Sequence, residues 1–216
     1  GVALLRRAHD AGVTFFDSAR SYGPGWADRI VGEALGQTDA VIATKGGVDK
    51  PASDRITVDG SPDTLRRQVE EALQNLGRDS LDLFQLHRVD PNTPVERSVS
   101  ALAQMQDEGL VRHIGLSNID QPQLERAMTA GAIASVQNRF NAAEREADAM
   151  VDFTAEHGIA FIPYGPLGAH PMQRGAKLPP QEALVWPLKR SPNIIVIPGT
   201  TNPGHLDANV ATWTAL

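Results

Sequence analysis

The chain has 216 residues, 41% of them hydrophobic and 21% charged, which is enough for one substantial domain with its own core. Its formal net charge of −6 is offset by no basic stripe, and no apolar run approaches the ~20 residues of a membrane span, so neither nucleic acid nor a bilayer is an expected partner. Cysteine is absent, which excludes disulfides and thiol chemistry and suits a cytoplasmic location.

The chain opens on a helical face of Leu4, Leu5, Ala8 and Ala11, stopped by Gly12, before an apolar strand from Val13 to Phe16. A helix from Trp26 to Leu35 ends at Gly36, and the strand Ala40 to Thr44 follows. Ser61-Pro62 has the form of a helix start, with Ser as cap and Pro in the first turn. Leu65, Val69, Leu73 and Leu76 continue it at helical spacing until Gly77, and Leu81 to Leu86 is the next strand. Val95, Val99 and Leu102 mark another helix, ended at Gly109 before the strand Val111 to Gly115. Asp120 and Gln123 are spaced as a capping box ahead of Leu124 and Ala127. The strand Ala132 to Val136, a helix from Ala143 to His157, and the strand Ile159 to Ile162 come next. A helix from Pro180 to Lys189, which Pro187 should kink or shorten, leads to a last strand, Ile194 to Ile197, and a last helix, Pro203 to Trp213.

Such alternation implies a parallel sheet, either open and doubly wound or closed into a barrel. No early glycine fingerprint of the dinucleotide-binding kind is present. Informative polar residues stand at the ends of nearly all the strands rather than at one switch point. Both points favour a TIM-type (β/α) barrel, a single domain over residues 1–216. In a barrel, Asp17, Lys45, His87, Ser117, Asn118, Gln137, Tyr164, Gly199 and Thr200 share one rim, the rim where active sites form. Taken singly, each has a plain reading: Asp17 as a cap, Lys45 as a solvated charge, His87 as a packing residue, Tyr22 as a loop aromatic. The shared rim outweighs those readings together. His113, inside a strand, and His157, near a helix end, keep theirs, and Asp79 and Asp82 lie at the opposite, stabilising end.

Phe16-Asp17-Ser18-Ala19-Arg20-Ser21-Tyr22-Gly23 resembles the signature of the aldo-keto reductases, with its Asp and Tyr five residues apart. Thr44-Lys45-Gly46, Asp82 to His87, Arg112 to Asn118, Val136-Gln137-Asn138 and Ile197-Pro198-Gly199-Thr200 resemble further segments of that family, in the same order. The resemblance runs from Gly1 to about Asn209. It implies reduction of an aldehyde or ketone, a small-molecule carbonyl substrate, with Tyr22 as proton donor, Lys45 and Asp17 tuning it, and His87 orienting the carbonyl. It also implies a nicotinamide cofactor held by Ser117, Asn118 and Gln137 at its carboxamide, with Tyr164 stacked on the ring. Gly199, Thr200, His205 and Asn209 would take the phosphate and adenine end. The chemistry is consistent. A free tyrosine, with a pKa near ~10, is a poor acid at neutral pH, and an ammonium ~4 Å away is worth ~4 kcal/mol at an effective dielectric of ~20.

Many relatives carry Lys and Arg near the 2′-phosphate of NADP, whereas this chain has Gly199 and His205 there and no Lys or Arg between Gly199 and Asn209. Thr200, Thr201 and Asn202 can still bond a phosphate, so the expectation is NADP(H) ahead of NAD(H), with weak discrimination. Two other readings are a non-catalytic nicotinamide-binding barrel and a metal-dependent barrel using Asp17, His87 and His113. Specificity would lie in rim candidates such as Trp26, Arg88 and the loop Gly168 to Lys177. Seven strands are read where a closed barrel has eight. The expectation is therefore a longer natural protein, N-terminally incomplete here, whose first strand would fill a gap beside Val13 to Phe16.

Overall fold

The computed structural model describes residues 1–23, 25–52, 55–165 and 178–214. The chain divides into two compact units, Gly1–Ala134 and Ser135–Leu216. Among the described residues no helix is long and apolar enough to cross a membrane.

The first unit runs α1 (Val2–Asp10), β1 (Phe15–Asp17), α2 (Trp26–Leu35), β2 (Val41–Gly46), β3 (Val48–Ala52), β4 (Arg55–Val58), α3 (Pro62–Leu76), β5 (Leu81–Leu86), α4 (Val95–Asp107), β6 (Val111–Ser117) and α5 (Gln121–Met128). Strands β1, β2, β5 and β6 lie side by side in that order, all parallel. Among the described residues β1 pairs on one side only, with β2, as the sequence led one to expect. Every residue of β5 is buried, the polar Asp82 and Gln85 included, so its sequence does not alternate apolar and polar. In register, Thr44 lies beside Phe84 and Phe84 beside Ile114, so one row of side chains crosses three strands.

The helices follow from their caps and apolar faces. Asp120 and Gln123 form the expected capping box on α5. Gly77 ends α3 in the left-handed conformation. Ser61 occupies the cap position of α3, but its side chain makes no capping bond. Asp59 fixes the approach to the helix, accepting from the Ser61 N–H at 2.9 Å and the Thr64 hydroxyl at 2.6 Å. Gly36 differs from its expected role too: its φ is −54°, so it is no left-handed stop. A Cβ there would lie 2.4 Å from the Leu76 carbonyl oxygen, so glycine is needed for the close approach of α2 to the end of α3. At the end of the strands away from the candidate rim, Arg78 donates to the carbonyls of Leu35, Gly36, Thr38 and Ala40 and pairs with Asp82. Asp82 also accepts from Arg112 and from the Ile42 N–H. Its role is structural, as its position in the sequence implied.

The antiparallel hairpin β3–β4 was not anticipated. The β-branched run Ile56-Thr57-Val58 carries the signal, but it lies in a stretch that reads as polar loop.

The second unit begins within β7 (Ile133–Gln137) and continues through α6 (Asp148–Glu156), β8 (Ala160–Phe161), α7 (Pro180–Arg190) and α8 (Pro203–Thr214). β7 and β8 are parallel, with Val136 beside Phe161. Helix α6 starts five residues later than Ala143. The Asn141 side-chain oxygen accepts from the N–H groups of Ala143 and Glu144, and this local turn competes with helix. The expected strand Ile194 to Ile197 is held to β8 by a single parallel bridge at Ile194. Pro192 and Pro198 flank it and donate nothing to a ladder. α7 continues through Pro187 to Arg190. The lost backbone bond is offset by packing: Trp186 meets Phe140 at 5.1 Å between ring centres, and Arg190 pairs with Asp148 and Asp152.

Candidate active site

In the first unit the strand ends and the loops that follow them bring six of the expected site residues together. Asp17 is the last residue of β1, and Lys45 lies in the last turn of side chains on β2, two residues further along the register. The Lys45 Nζ donates to Asp17 Oδ2 at 2.6 Å and to the Ser18 carbonyl at 2.8 Å. Lys45 is 1% exposed. Burial holds its ammonium below the ordinary lysine range, and the charges of Asp17 and then Asp28 oppose that.

Asp28 did not stand out in the sequence. It lies on α2, is buried, and accepts from the Ser18 hydroxyl at 2.6 Å and the Thr44 hydroxyl at 2.9 Å. Burial pushes its carboxyl above the usual range, against those two bonds and the charge of Lys45. A signal was available: Asp28, Val31 and Leu35 fall at i, i+3 and i+7, the buried face of α2.

Tyr22 stands on the loop after β1, 52% exposed. The Lys45 Nζ lies 5.4 Å from the centre of its ring. The Tyr22 and His87 rings meet edge to face, 6.1 Å apart and at 86°. His87, the residue after β5, is held in place by its own N–H to the Gly46 carbonyl. Its pKa is lowered to about 4, first by burial and then by the charges of Lys45 and Arg88. The ring is therefore neutral at pH 7. Ser21 Oγ lies 3.3 Å from His87 Nδ1, a contact the sequence did not suggest. Asn118, just past β6, has φ +54° and donates from Nδ2 to the His87 carbonyl at 2.9 Å and to Ser117 Oγ at 3.0 Å. Thus Asp17, Tyr22, Lys45, His87, Ser117 and Asn118 form one connected cluster.

In the second unit Gln137 is the buried last residue of β7. The Tyr164 N–H donates to the Asn138 carbonyl at 3.0 Å, and the Tyr164 carbonyl accepts from the Phe140 N–H, which ties the ends of the two strands. Gly199 and His205 are exposed, and Thr200 and Asn209 half-buried. Thr200 Oγ1 accepts from the Asn202 N–H at 3.1 Å, and Asn202 Oδ1 accepts from the Gly204 N–H at 2.8 Å. Asn202 therefore caps α8. Among the rim candidates Trp26 and Arg88 are exposed, and the loop Gly168 to Lys177 lies outside the described residues. His113 is exposed, and His157 Nδ1 lies 2.8 Å from the Phe153 carbonyl at the end of α6, the helix-end contact its position suggested.

Residues 2–182 match the model of the Aldo/keto reductase family. The chain belongs to the aldo-keto reductase family. It is 39% identical over 228 residues to pyridoxine 4-dehydrogenase of Escherichia coli, a match spanning 97% of this chain and 80% of that protein. It is 35% identical to the uncharacterized oxidoreductase C215.11c of Schizosaccharomyces pombe, over 97% of this chain and 72% of that one. The glycerol dehydrogenase AKR11B4 of Gluconobacter oxydans shares the fold, with a TM-score of 0.87 at 22% identity over 98% of this chain and 80% of that one. The thermostable aldo-keto reductase Tm1743 aligns with a TM-score of 0.83 at 27% identity, over 99% of this chain and 81% of that one. This aldo-keto reductase is accordingly a (β/α)-barrel protein and a nicotinamide-dependent oxidoreductase.

Proposed function

We propose that the protein reduces an aldehyde or ketone to an alcohol, with Tyr22 as the general acid, Lys45 and Asp17 tuning it, and His87 orienting the carbonyl. The observation that carries this reading is the placement of Lys45: a buried ammonium 2.6 Å from Asp17 and 5.4 Å from the Tyr22 ring. The 5.4 Å is measured to the ring centre; a unit charge about 5 Å from a phenolate oxygen, at an effective dielectric of about 20, would stabilise it by about 3 kcal/mol. Asp17 anchors the lysine and offsets part of its field. In this reading the neutral His87 ring accepts from the Ser21 hydroxyl, 3.3 Å away, at Nδ1, carries its proton on Nε2 and offers that N–H to the substrate oxygen.

The donor set fits a nicotinamide cofactor. Ser117, Asn118 and Gln137 stand at strand ends, and hydroxyl and amide groups both donate and accept, as a carboxamide requires. Tyr164 would lie on the ring, and Gly199, Thr200, His205 and Asn209 would meet the phosphate and adenine parts. When bound, the cofactor supplies hydride to the carbonyl carbon. Tyr22 delivers the proton to the carbonyl oxygen, and His87 holds that oxygen. NADP(H) is proposed ahead of NAD(H), because the Thr200 and Thr201 hydroxyls can donate to a phosphate where a lysine is missing. A non-catalytic binding role is disfavoured by the intact Asp17, Lys45, Tyr22 and His87 cluster.

Initial rates with NADPH and NADH, against a panel of aldehydes and ketones and with pyridoxine in the oxidative direction, test this reading. Pyridoxine belongs in the panel because the E. coli relative is named for it. Turnover of at least one carbonyl with NADPH is expected. No turnover by folded protein that binds cofactor would favour the non-catalytic role.

A further inference from the structure

Tyr22 is 52% exposed on its loop, with its ring against Lys45 and His87, and the loop that carries it is tied to the rest of the unit. The loop backbone contributes the Ser18 N–H to the Ala43 carbonyl at 2.8 Å and the Arg20 N–H to the Lys45 carbonyl at 3.1 Å. Beyond Arg20, the Tyr22 N–H donates to the Ala19 carbonyl at 3.0 Å. The Arg20 side chain reaches outward. Its Nε donates to Asp49 Oδ1 at 2.6 Å, at the root of the β3–β4 hairpin, and one of its terminal nitrogens pairs with Glu71 on α3. Asp49 is itself held, since its other oxygen accepts from Gln68 Nε2 at 3.2 Å. Gln68 is buried, and its side-chain oxygen accepts from the Gly47 N–H at 2.6 Å. Arg20 thus joins the residue two before Tyr22 to a hairpin root and a helix, and both are fixed to the strand that carries Lys45.

We propose that Arg20 is a positioning residue for the reaction: by gripping Asp49 and Glu71 it fixes the Tyr22 loop at its distance from Lys45 and His87. This rests on Tyr22 being the proton donor. The planar guanidinium serves two carboxylates at once from one rigid fork, whereas a lysine would hold them through a point charge on a flexible stem. Displacing a reacting group by about 1 Å can cost about 100-fold in rate, so an anchor remote from the substrate has a measurable effect on turnover.

The test uses Arg20→Met, Asp49→Asn and their combination, each with Tyr22 intact and with Tyr22→Phe, read as kcat, KM and cofactor Kd by fluorescence titration. Arg20→Met is expected to lower kcat about 10- to 100-fold, with cofactor Kd within about twofold. Asp49→Asn keeps its shape but loses its charge, and should lower kcat about three- to tenfold, since charge-assisted bonds are roughly twice as strong as neutral ones. The combination should fall no lower than Arg20→Met alone, because both remove one contact. With Tyr22→Phe, Arg20→Met should change the residual rate by less than about twofold. An equal loss of rate in that background would show that Arg20 acts through something other than Tyr22 and would overturn the proposal. So would unchanged kcat in both single variants, or a loss of cofactor binding that parallels the loss of rate. If Arg20→Met does not fold, Asp49→Asn decides alone. Parental turnover in Tyr22→Phe overturns the general-acid assignment and this inference with it, whereas full activity of Arg20→Met beside an inactive Tyr22→Phe overturns the inference alone.

Discussion

Lys45 and Asp17 meet at 2.6 Å with almost no solvent around either side chain. Burial drives Lys45 towards the neutral amine, and Asp17 is the largest influence against it. Asp17→Asn removes that influence, so Lys45 deprotonates at a lower pH than in the parent. Turnover at about pH 8 should fall at least about tenfold and recover in part as the pH is lowered, because protons restore the ammonium. Lys45→Met removes the charge altogether and should move the acidic group of the pH–rate profile upward. Breaking the Lys45–Asp17 pair should also lower stability. A pH–rate profile identical to that of the parent in both variants would contradict the pairing.

Tyr22→Phe should abolish most carbonyl reduction while leaving cofactor affinity nearly intact. General acid catalysis is typically worth ~10²–10⁴-fold, so retention of more than about a tenth of the parental turnover would remove Tyr22 from the role. Steady-state rates beside a fluorescence titration separate the two properties.

His87 makes folding pH-dependent. Its pKa falls from the ordinary 6.5 to about 4, so between those values the unfolded chain takes up a proton that the folded protein refuses. Stability is therefore lost as pH falls from about 6.5 to about 4, by about 3 kcal/mol in total, and is flat with respect to this group above that window. Denaturant unfolding as a function of pH should show that slope in the parent and a shallower one in His87→Gln. In the parent, ¹⁵N shifts of the ring at pH 7 should report a neutral imidazole with its proton on Nε2. Ser21→Ala should increase the share of the other tautomer.

The segment from Gly199 to Asn209 contains no Lys or Arg, so NADPH should be preferred over NADH by no more than a few hundredfold. Gly199→Lys or His205→Arg should tighten NADPH binding much more than NADH binding. Both positions are exposed, and a Cβ at Gly199 meets nothing within 4 Å, so the substitutions are free of steric cost. Equal gains for both cofactors would place this segment away from the 2′-phosphate.

What the sequence determined by itself was set by short-range regularities. Apolar strands recur between helices, the capping box at Asp120 and Gln123 is complete within four residues, and the polar residue at each strand end can be counted off. Asp17, Lys45 and His87 were legible for that reason, since a parallel strand order turns position along the chain into position on a rim. What only the tertiary structure decided depends on partners distant in the chain. Arg20 reads as an ordinary loop charge until Glu71, 51 residues away, is brought beside it. Asp28 reads as a helix-start carboxylate until Ser18 and Thr44 close over it. Gly36 looks like a helix stop until the end of α3 is seen to pass within reach of its missing side chain. Local periodicity fixes which elements form, because backbone hydrogen bonding and amphipathic burial act over a few residues. The charge state of a buried lysine and the anchoring of the Tyr22 loop are set by desolvation and by bonds across elements, which come into existence only when the chain is folded.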